Sequence, residues 1–251
     1  KFFATCMDQE ARDKAGIEPL KPTFAKIDKV KNLKGLMKLT GELHGGGLAG
    51  PFFSFGPSFD FKQPDLWITD LSQGGTGLPD RSFYLDEQKS AQVLPLYTQH
   101  ITTMLTFVYG GDKEKAAADA AKVVAFETEL AKIQKDRTEL RDPVATYNRL
   151  DRAGVLKLGK GLDWKGYWKA IGYPKTKLIN VSVPSFVEAL PALLEGTDMD
   201  TIKAYLRFHV INGNASDLSS EIDAAAFGFS AMLTGQQQQE PEWKRCLGKT
   251  Q

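Results

Sequence analysis

Two long amphipathic stretches with three residues between them constrain this chain more than any other feature. Residues 88 to 109 place Leu94, Tyr97, Ile101, Met104, Leu105 and Val108 on one stripe, at the three-and-four spacing of an α-helix. Residues 113 to 135 repeat the pattern with Ala116, Ala120, Val123, Val124, Glu127, Leu130 and Ile133. Gly110-Gly111-Asp112 between them is a break too short for anything but a reversal, so the two helices are expected to pack antiparallel.

Similar stripes flank this pair. Residues 1 to 15 read as one helix stopped by Gly16. Pro19 and Pro22 open a second, with Phe24, Ile27 and Val30 on one face. A third carries Leu33, Leu36, Met37, Leu39 and Leu43 and ends at His44-Gly45-Gly46-Gly47. Asp142-Pro143 predicts a helix start, with Asp142 as N-cap. Residues 163 to 171 and 185 to 194 are helical in pattern, and Thr197-Asp198-Met199-Asp200 resembles a capping box opening a helix with Ile202, Tyr205, Leu206, His209 and Val210. Residues 218 to 233 are a further amphipathic helix, and Gln236 to Gln239 read as a solvated connection.

The period changes to that of strands in two places. Residues 51 to 55 and 66 to 71, aromatic and β-branched, predict an antiparallel pair joined by a long turn through Gly56-Pro57 and Gln63-Pro64-Asp65. Residues 178 to 183 suggest a brief strand, and residues 73 to 86 a Gly- and Pro-rich loop. The expected fold is mainly α: amphipathic helices with one small antiparallel strand pair near residues 51 to 71.

The 251 residues, 42% hydrophobic and 25% charged, suffice for a substantial core. Lys+Arg 32 against Asp+Glu 31 gives no electrostatic reason for a nucleic-acid or anionic-membrane partner. The lysines from Lys21 to Lys38 read as a solvated helix face. No apolar run approaches a membrane span, and no signal peptide is visible. The start lacks an initiator Met and reads as the inside of a helix, so a cut is expected there; the end is similarly abrupt. The two cysteines, Cys6 and Cys246, suit neither a zinc cluster nor a C-x-x-C motif, and fit two buried thiols or one disulfide.

Motif by motif, catalytic chemistry fails to assemble. Gly45 to Gly50 fits G-x-G-x-x-G, but a helix precedes it and a strand follows, the reverse of a dinucleotide site. His44-Gly45-Gly46-Gly47 fits an esterase oxyanion loop without the G-x-S-x-G nucleophile that such a loop serves. Gly154 to Lys160 fits G-x-x-x-x-G-K, but Gly161 stands where a magnesium-binding Ser or Thr belongs. His44, His100 and His209 are dispersed, none lies in H-E-x-x-H, and Cys6 has no neighbouring His to make it a nucleophile. Two glycosylation sequons begin at Asn180 and Asn214.

Five segments, in order, resemble the neprilysin family of zinc metallopeptidases. They are Phe2-Phe3-Ala4-Thr5-Cys6-Met7-Asp8; Gln73 to Tyr84, akin to a Gly-Leu-Pro-x-Arg-x-Tyr-Tyr loop; Val124 to Ala131 with Phe126-Glu127; Arg141-Asp142-Pro143 with Thr146-Tyr147-Asn148; and Trp243-Lys244-Arg245-Cys246. The resemblance implies a membrane-anchored or secreted zinc endopeptidase of oligopeptides, with zinc held by H-E-x-x-H and a downstream glutamate. None of those zinc motifs occurs here. It implies that residues 1 to 251 are one non-catalytic helical segment that caps an enclosed cavity and limits substrate size. The catalytic zinc domain would be a separate C-terminal part and the partner of this one. It further implies a Cys6–Cys246 disulfide and an extracytoplasmic location. On this reading the chain alone has no catalytic and no metal-ligating residue, and no substrate contact is nominated. The alternative is a free-standing, non-enzymatic helical module that binds peptide or protein.

Overall fold

A computed structural model describes residues 2–173 and 177–249. Lys1, Thr250 and Gln251, at the ends expected to be cut, lie outside the described residues. The N-terminal stretch forms two helices rather than one, α1 (Phe2–Cys6) and α2 (Gln9–Ala15). Asp8 divides them, because its carboxylate accepts from the Ala11 amide and caps α2. Gly16, at φ 52°, ends α2 as the pattern predicts. A 3-10 turn at Glu18–Leu20 leads into α3 (Lys21–Asp28), and Asn32 caps α4 (Leu33–Gly45) through the Gly35 amide.

The predicted strand pair is present, but its strands are longer and its turn is tight. β1 (Phe53–Asp60) and β2 (Gln63–Gln73) run in register from Phe53 opposite Gln73 to Phe59 opposite Trp67, and only Phe61 and Lys62 separate them. Gly56-Pro57 lies within β1, not in a turn. β1 is an edge strand, where a missing N–H leaves no neighbouring strand unsatisfied. The turn is closed by Asp60, whose buried carboxylate accepts from the Lys62 and Gln63 amides, the Tyr147 hydroxyl and the Arg149 guanidinium. Two short strands unseen in the periodicity or only brief there complete a mixed sheet: β3 (Arg149–Asp151) and β4 (Leu178–Val181). The order is β1-β2-β4-β3, with β4 parallel to β2 and antiparallel to β3.

After β2 the chain forms α5 (Ser82–Leu85) within the expected loop, then the long helices α6 (Glu87–Val108) and α7 (Lys113–Lys132). Tyr109 hydrogen-bonds Asp119 while Tyr97 reaches Glu127, so the two helices run antiparallel as the three-residue break requires. Asp142-Pro143 opens no helix. The Asp142 carboxylate caps an isolated turn through the Val144 and Ala145 amides, and Tyr147 and Asn148 are then drawn to Asp60 and Asn180. The helix begins later, as α8 (Arg152–Leu158), capped by Asp151. It is followed by α9 (Trp164–Ala170), α10 (Pro184–Glu195) and α11 (Met199–Asn214). Asp198, not Thr197, caps α11, because Thr197 spends its hydroxyl on the Leu193 carbonyl of α10. The chain closes with α12 (Ser220–Thr234) and α13 (Glu242–Gly248).

One cluster of buried side chains includes Leu36, Met37, Phe53, Ile101, Met104, Trp164, Phe186 and Phe208. α4 packs closely on α9 through its glycines. A Cβ on Gly41 would lie 2.6 Å from the Tyr167 carbonyl oxygen, and one on Gly45 3.2 Å from that of Ile171. Gly45, the first glycine of the nucleotide-like pattern, thus serves helix packing.

Cys6 and Cys246 form a disulfide, with Cα atoms 5.8 Å apart across 240 residues of sequence. Arg12 joins Glu242 and the Ser216 carbonyl beside it, and the Asp13 carboxylate accepts from the Ser220 amide and hydroxyl. Closing so long a loop restricts the unfolded chain strongly. Replacing both cysteines by serine is expected to lower the unfolding free energy by about 3–5 kcal/mol in urea titrations. An unchanged midpoint would place the stability of the ends in the Arg12 and Asp13 contacts instead.

Candidate functional site

Glu127 lies on the buried stripe of α7 and is fully shielded from solvent. A carboxylate there needs several donors. Its Oε2 accepts from the Tyr84 hydroxyl of α5 at 2.6 Å, the Tyr97 hydroxyl of α6 at 2.9 Å and the Gly77 amide at 3.1 Å. Its Oε1 lies 2.7 Å from Nε2 of His209 on α11. Burial and the Glu127 charge push the Tyr84 and Tyr97 hydroxyls far above their ordinary range, so both stay protonated donors.

The Gly-rich loop is built onto this carboxylate. Gly77 admits no side chain, since a Cβ would fall 1.9 Å from the Tyr97 hydroxyl. The Tyr84 hydroxyl also accepts from the Leu78 amide at 2.9 Å. Upstream, the Tyr205 hydroxyl donates to the Gly75 carbonyl at 2.6 Å and accepts from the Phe52 amide at 3.0 Å. Gly75 has φ 84°, and a Cβ there would lie 2.5 Å from the Phe52 backbone. The Gln73 side chain exchanges two hydrogen bonds with the Lys135 backbone, and Gln134 donates to the Gly74 carbonyl. The loop is therefore fixed along its length. With its lone pairs engaged, Glu127 acts as a tie and offers no free base or nucleophile.

The three histidines lie in separate settings. The Pro51 carbonyl can only accept, so His44 Nε2 carries the proton toward it at 3.2 Å, and Nδ1 accepts from the Tyr167 hydroxyl at 2.7 Å. Burial lowers the His44 pKa to about 4, which keeps it neutral in neutral solution. His100 Nε2 lies 2.7 Å from the Asn212 Oδ1, and its ring stacks on Phe229 at 4.5 Å; burial lowers its pKa as well. Among the described residues no three His, Cys, Asp or Glu side chains are grouped to hold a metal ion, so this donor set does not fit zinc.

The remaining sequence patterns have local explanations. Gly154 donates its amide to the Asp151 carboxylate inside α8, leaving no phosphate cradle. The Asn180 Nδ2 donates to Asp70, the Thr146 carbonyl and Ser182, and the Asn214 Nδ2 donates to the Leu48 and Val210 carbonyls. Both sequon amides are occupied in the folded chain. A groove of about 650 Å³ opens between α4 and α9, with Lys34, Lys38, Glu42, Asp163 and Lys169 among its lining residues.

The role of Glu127 was missed in the sequence, although the signal is there. A charged residue on an apolar stripe demands partners, but nothing in the local pattern names Tyr84, Tyr97 and His209 as those partners.

Comparison with known proteins places the chain in a family. The profile of peptidase family M13 matches residues 1–251. Human endothelin-converting enzyme 1 is 27% identical over 208 residues, which is 80% of this chain and 27% of that protein. The neutral endopeptidase of Lactobacillus helveticus is 28% identical over 226 residues, covering 90% of this chain and 34% of that one. The zinc metalloprotease Zmp1 of Mycobacterium tuberculosis, in its open state, superposes with a TM-score of 0.92 at 32% identity, over 98% of this chain and 38% of that one. The chain spans about a third of the length of these relatives. It belongs to peptidase family M13, the neprilysin family, and corresponds to the N-terminal region of that family.

Two outcomes follow for these groups. Glu127→Gln leaves donors facing a group that also donates, and is expected to cost about 3 kcal/mol of unfolding free energy in urea, against about 1–2 kcal/mol for Tyr84→Phe. His44 is protonated near 6.5 when unfolded but only near 4 when folded. As pH falls through that window the unfolded state binds a proton that the folded state refuses, and stability drops by up to about 3 kcal/mol. Urea titrations of the parent and His44→Asn between pH 7.5 and 4 should converge on different slopes, with this component missing from the variant.

Proposed function

We propose that this N-terminal region of an M13 peptidase is the non-catalytic helical part of a zinc-dependent endopeptidase acting on oligopeptides. Its role is to limit, by shape, what reaches an enclosed cavity formed with the C-terminal catalytic part of the same protein. The observation that carries this reading is the fixed loop from Gln73 to Tyr84. This segment, one of the five that resemble the family, is tied to a donor-saturated Glu127, an arrangement that supplies rigid surface and no bond-making group. The family match over residues 1–251 and the likeness to a zinc metalloprotease support the wider assignment.

On this reading residues 1 to 251 act as one segment, clasped at its ends by Cys6–Cys246. The zinc belongs to the catalytic part on this reading, and among the described residues no three His, Cys, Asp or Glu side chains are grouped to hold it. The disulfide favours an extracytoplasmic location. The second reading, a free-standing peptide- or protein-binding module, draws on the groove of about 650 Å³ between α4 and α9, which is large enough for a small ligand.

Zinc analysis and a graded peptide series separate the two. The intact protein should carry zinc stoichiometrically and cleave short peptides but not folded proteins, with activity lost to chelator. The chain alone should bind no zinc and cleave nothing. Chelator-resistant cleavage by the intact protein, or any cleavage by the chain alone, would overturn the assignment.

A further inference from the structure

The tip of the β1–β2 hairpin presents a cluster of exposed aromatic side chains. Phe59, Phe61 and Trp67 are 58%, 69% and 62% exposed, in a chain whose other aromatic side chains are mostly buried. Phe59 and Trp67 are directly opposed in the register, and their rings lie 4.1 Å apart. Phe61 occupies the two-residue turn. The backbone beneath them is held by the buried Asp60 carboxylate and its bonds to Lys62, Gln63, Tyr147 and Arg149. The aromatic rings are thus displayed on an ordered support, which lowers the entropic cost of engaging another phase.

Three observations select the occupant. Pairing of a further strand with β1 is disfavoured, because Pro57 removes a donor from its edge. The three side chains expose roughly 400 Å² of surface, about half of what each partner contributes to a stable protein interface. Lys62 in the turn and Asp65 near the start of β2 carry opposite charges, and Lys62 leans over the Tyr147 ring at 4.7 Å. A small, convex, electroneutral aromatic tip suits the boundary between lipid headgroups and acyl chains, where Phe and Trp partition readily. No helix among the described residues is long and apolar enough to cross a membrane. We propose that Phe59, Phe61 and Trp67 form a membrane-docking tip that inserts into the interface of a zwitterionic lipid bilayer.

The test is flotation of the intact protein with phosphatidylcholine vesicles at low and high salt. The expected result is salt-insensitive co-flotation, reduced at least about tenfold in F59S/F61S/W67S. Brominated lipid should quench part of the fluorescence, and Trp67→Phe should remove that part. If the triple variant fails to fold, Phe61→Ser alone, in the turn, should still weaken flotation. The proposal is overturned if the protein stays unbound, if the variants float as well as the parent, or if high salt releases it, which marks adsorption through lysines. Self-association without lipid that the same variants abolish would also overturn it, in favour of a second copy as the occupant. Failure here leaves the peptidase assignment untouched, because zinc content and peptide cleavage are read separately.

Discussion

A carboxylate with no access to water sits in α7, and the positions of four other pieces of chain follow from satisfying it. Leaving Glu127 unmet would cost several kcal/mol. The donors that meet it come from the loop amide of Gly77, from Tyr84 on α5, from Tyr97 on α6 and from His209 on α11. Each donor is delivered at one point of an otherwise apolar contact. The charge therefore selects one arrangement among the many that apolar stripes alone would allow. The absence of a side chain at Gly77 belongs to the same requirement, since the amide and the Tyr97 hydroxyl have to share one carboxylate oxygen.

A second tie continues the first. Tyr205, one turn from His209 on α11, links the Gly75 carbonyl to the Phe52 amide. Phe52 itself has a φ of 66°, an uncommon conformation for a bulky residue, and it is held where β1 begins by the hydroxyl and by stacking on the Tyr205 ring at 5.1 Å. The entry to the hairpin and the exit from it are thereby fixed to the same helix. Through this pair of tyrosine and carboxylate contacts the helical layer positions the sheet.

What the sequence makes legible are features that repeat or that act locally. The stripes of α6 and α7 are long, and the Gly110-Gly111-Asp112 break dictates their antiparallel packing without further information. The five ordered motifs identify the family. Less legible are features that depend on a distant partner. Gly56-Pro57 looks like a turn because local rules put proline there, and only the position of β1 at the sheet edge makes it a strand. Asp142-Pro143 has a good helix start, but Tyr147 and Asn148 are taken by Asp60 and Asn180, so the backbone extends instead. β3 is three residues long, too short for a period to register. The partners of Glu127 lie 30 to 82 residues away from it in sequence, beyond the reach of any local pattern.

The bridge between Cys6 and Cys246 also decides where mechanical load travels. Tension applied to the segments outside the two cysteines passes from one sulfur to the other, across Cα atoms 5.8 Å apart. The 239 residues between them, with the hairpin, the Glu127 tie and the core, lie off that path. Pulling on the ends would strain α1 and α13 at the bridge while the interior stayed unloaded, so the fold is insulated from whatever force its flanking chain transmits.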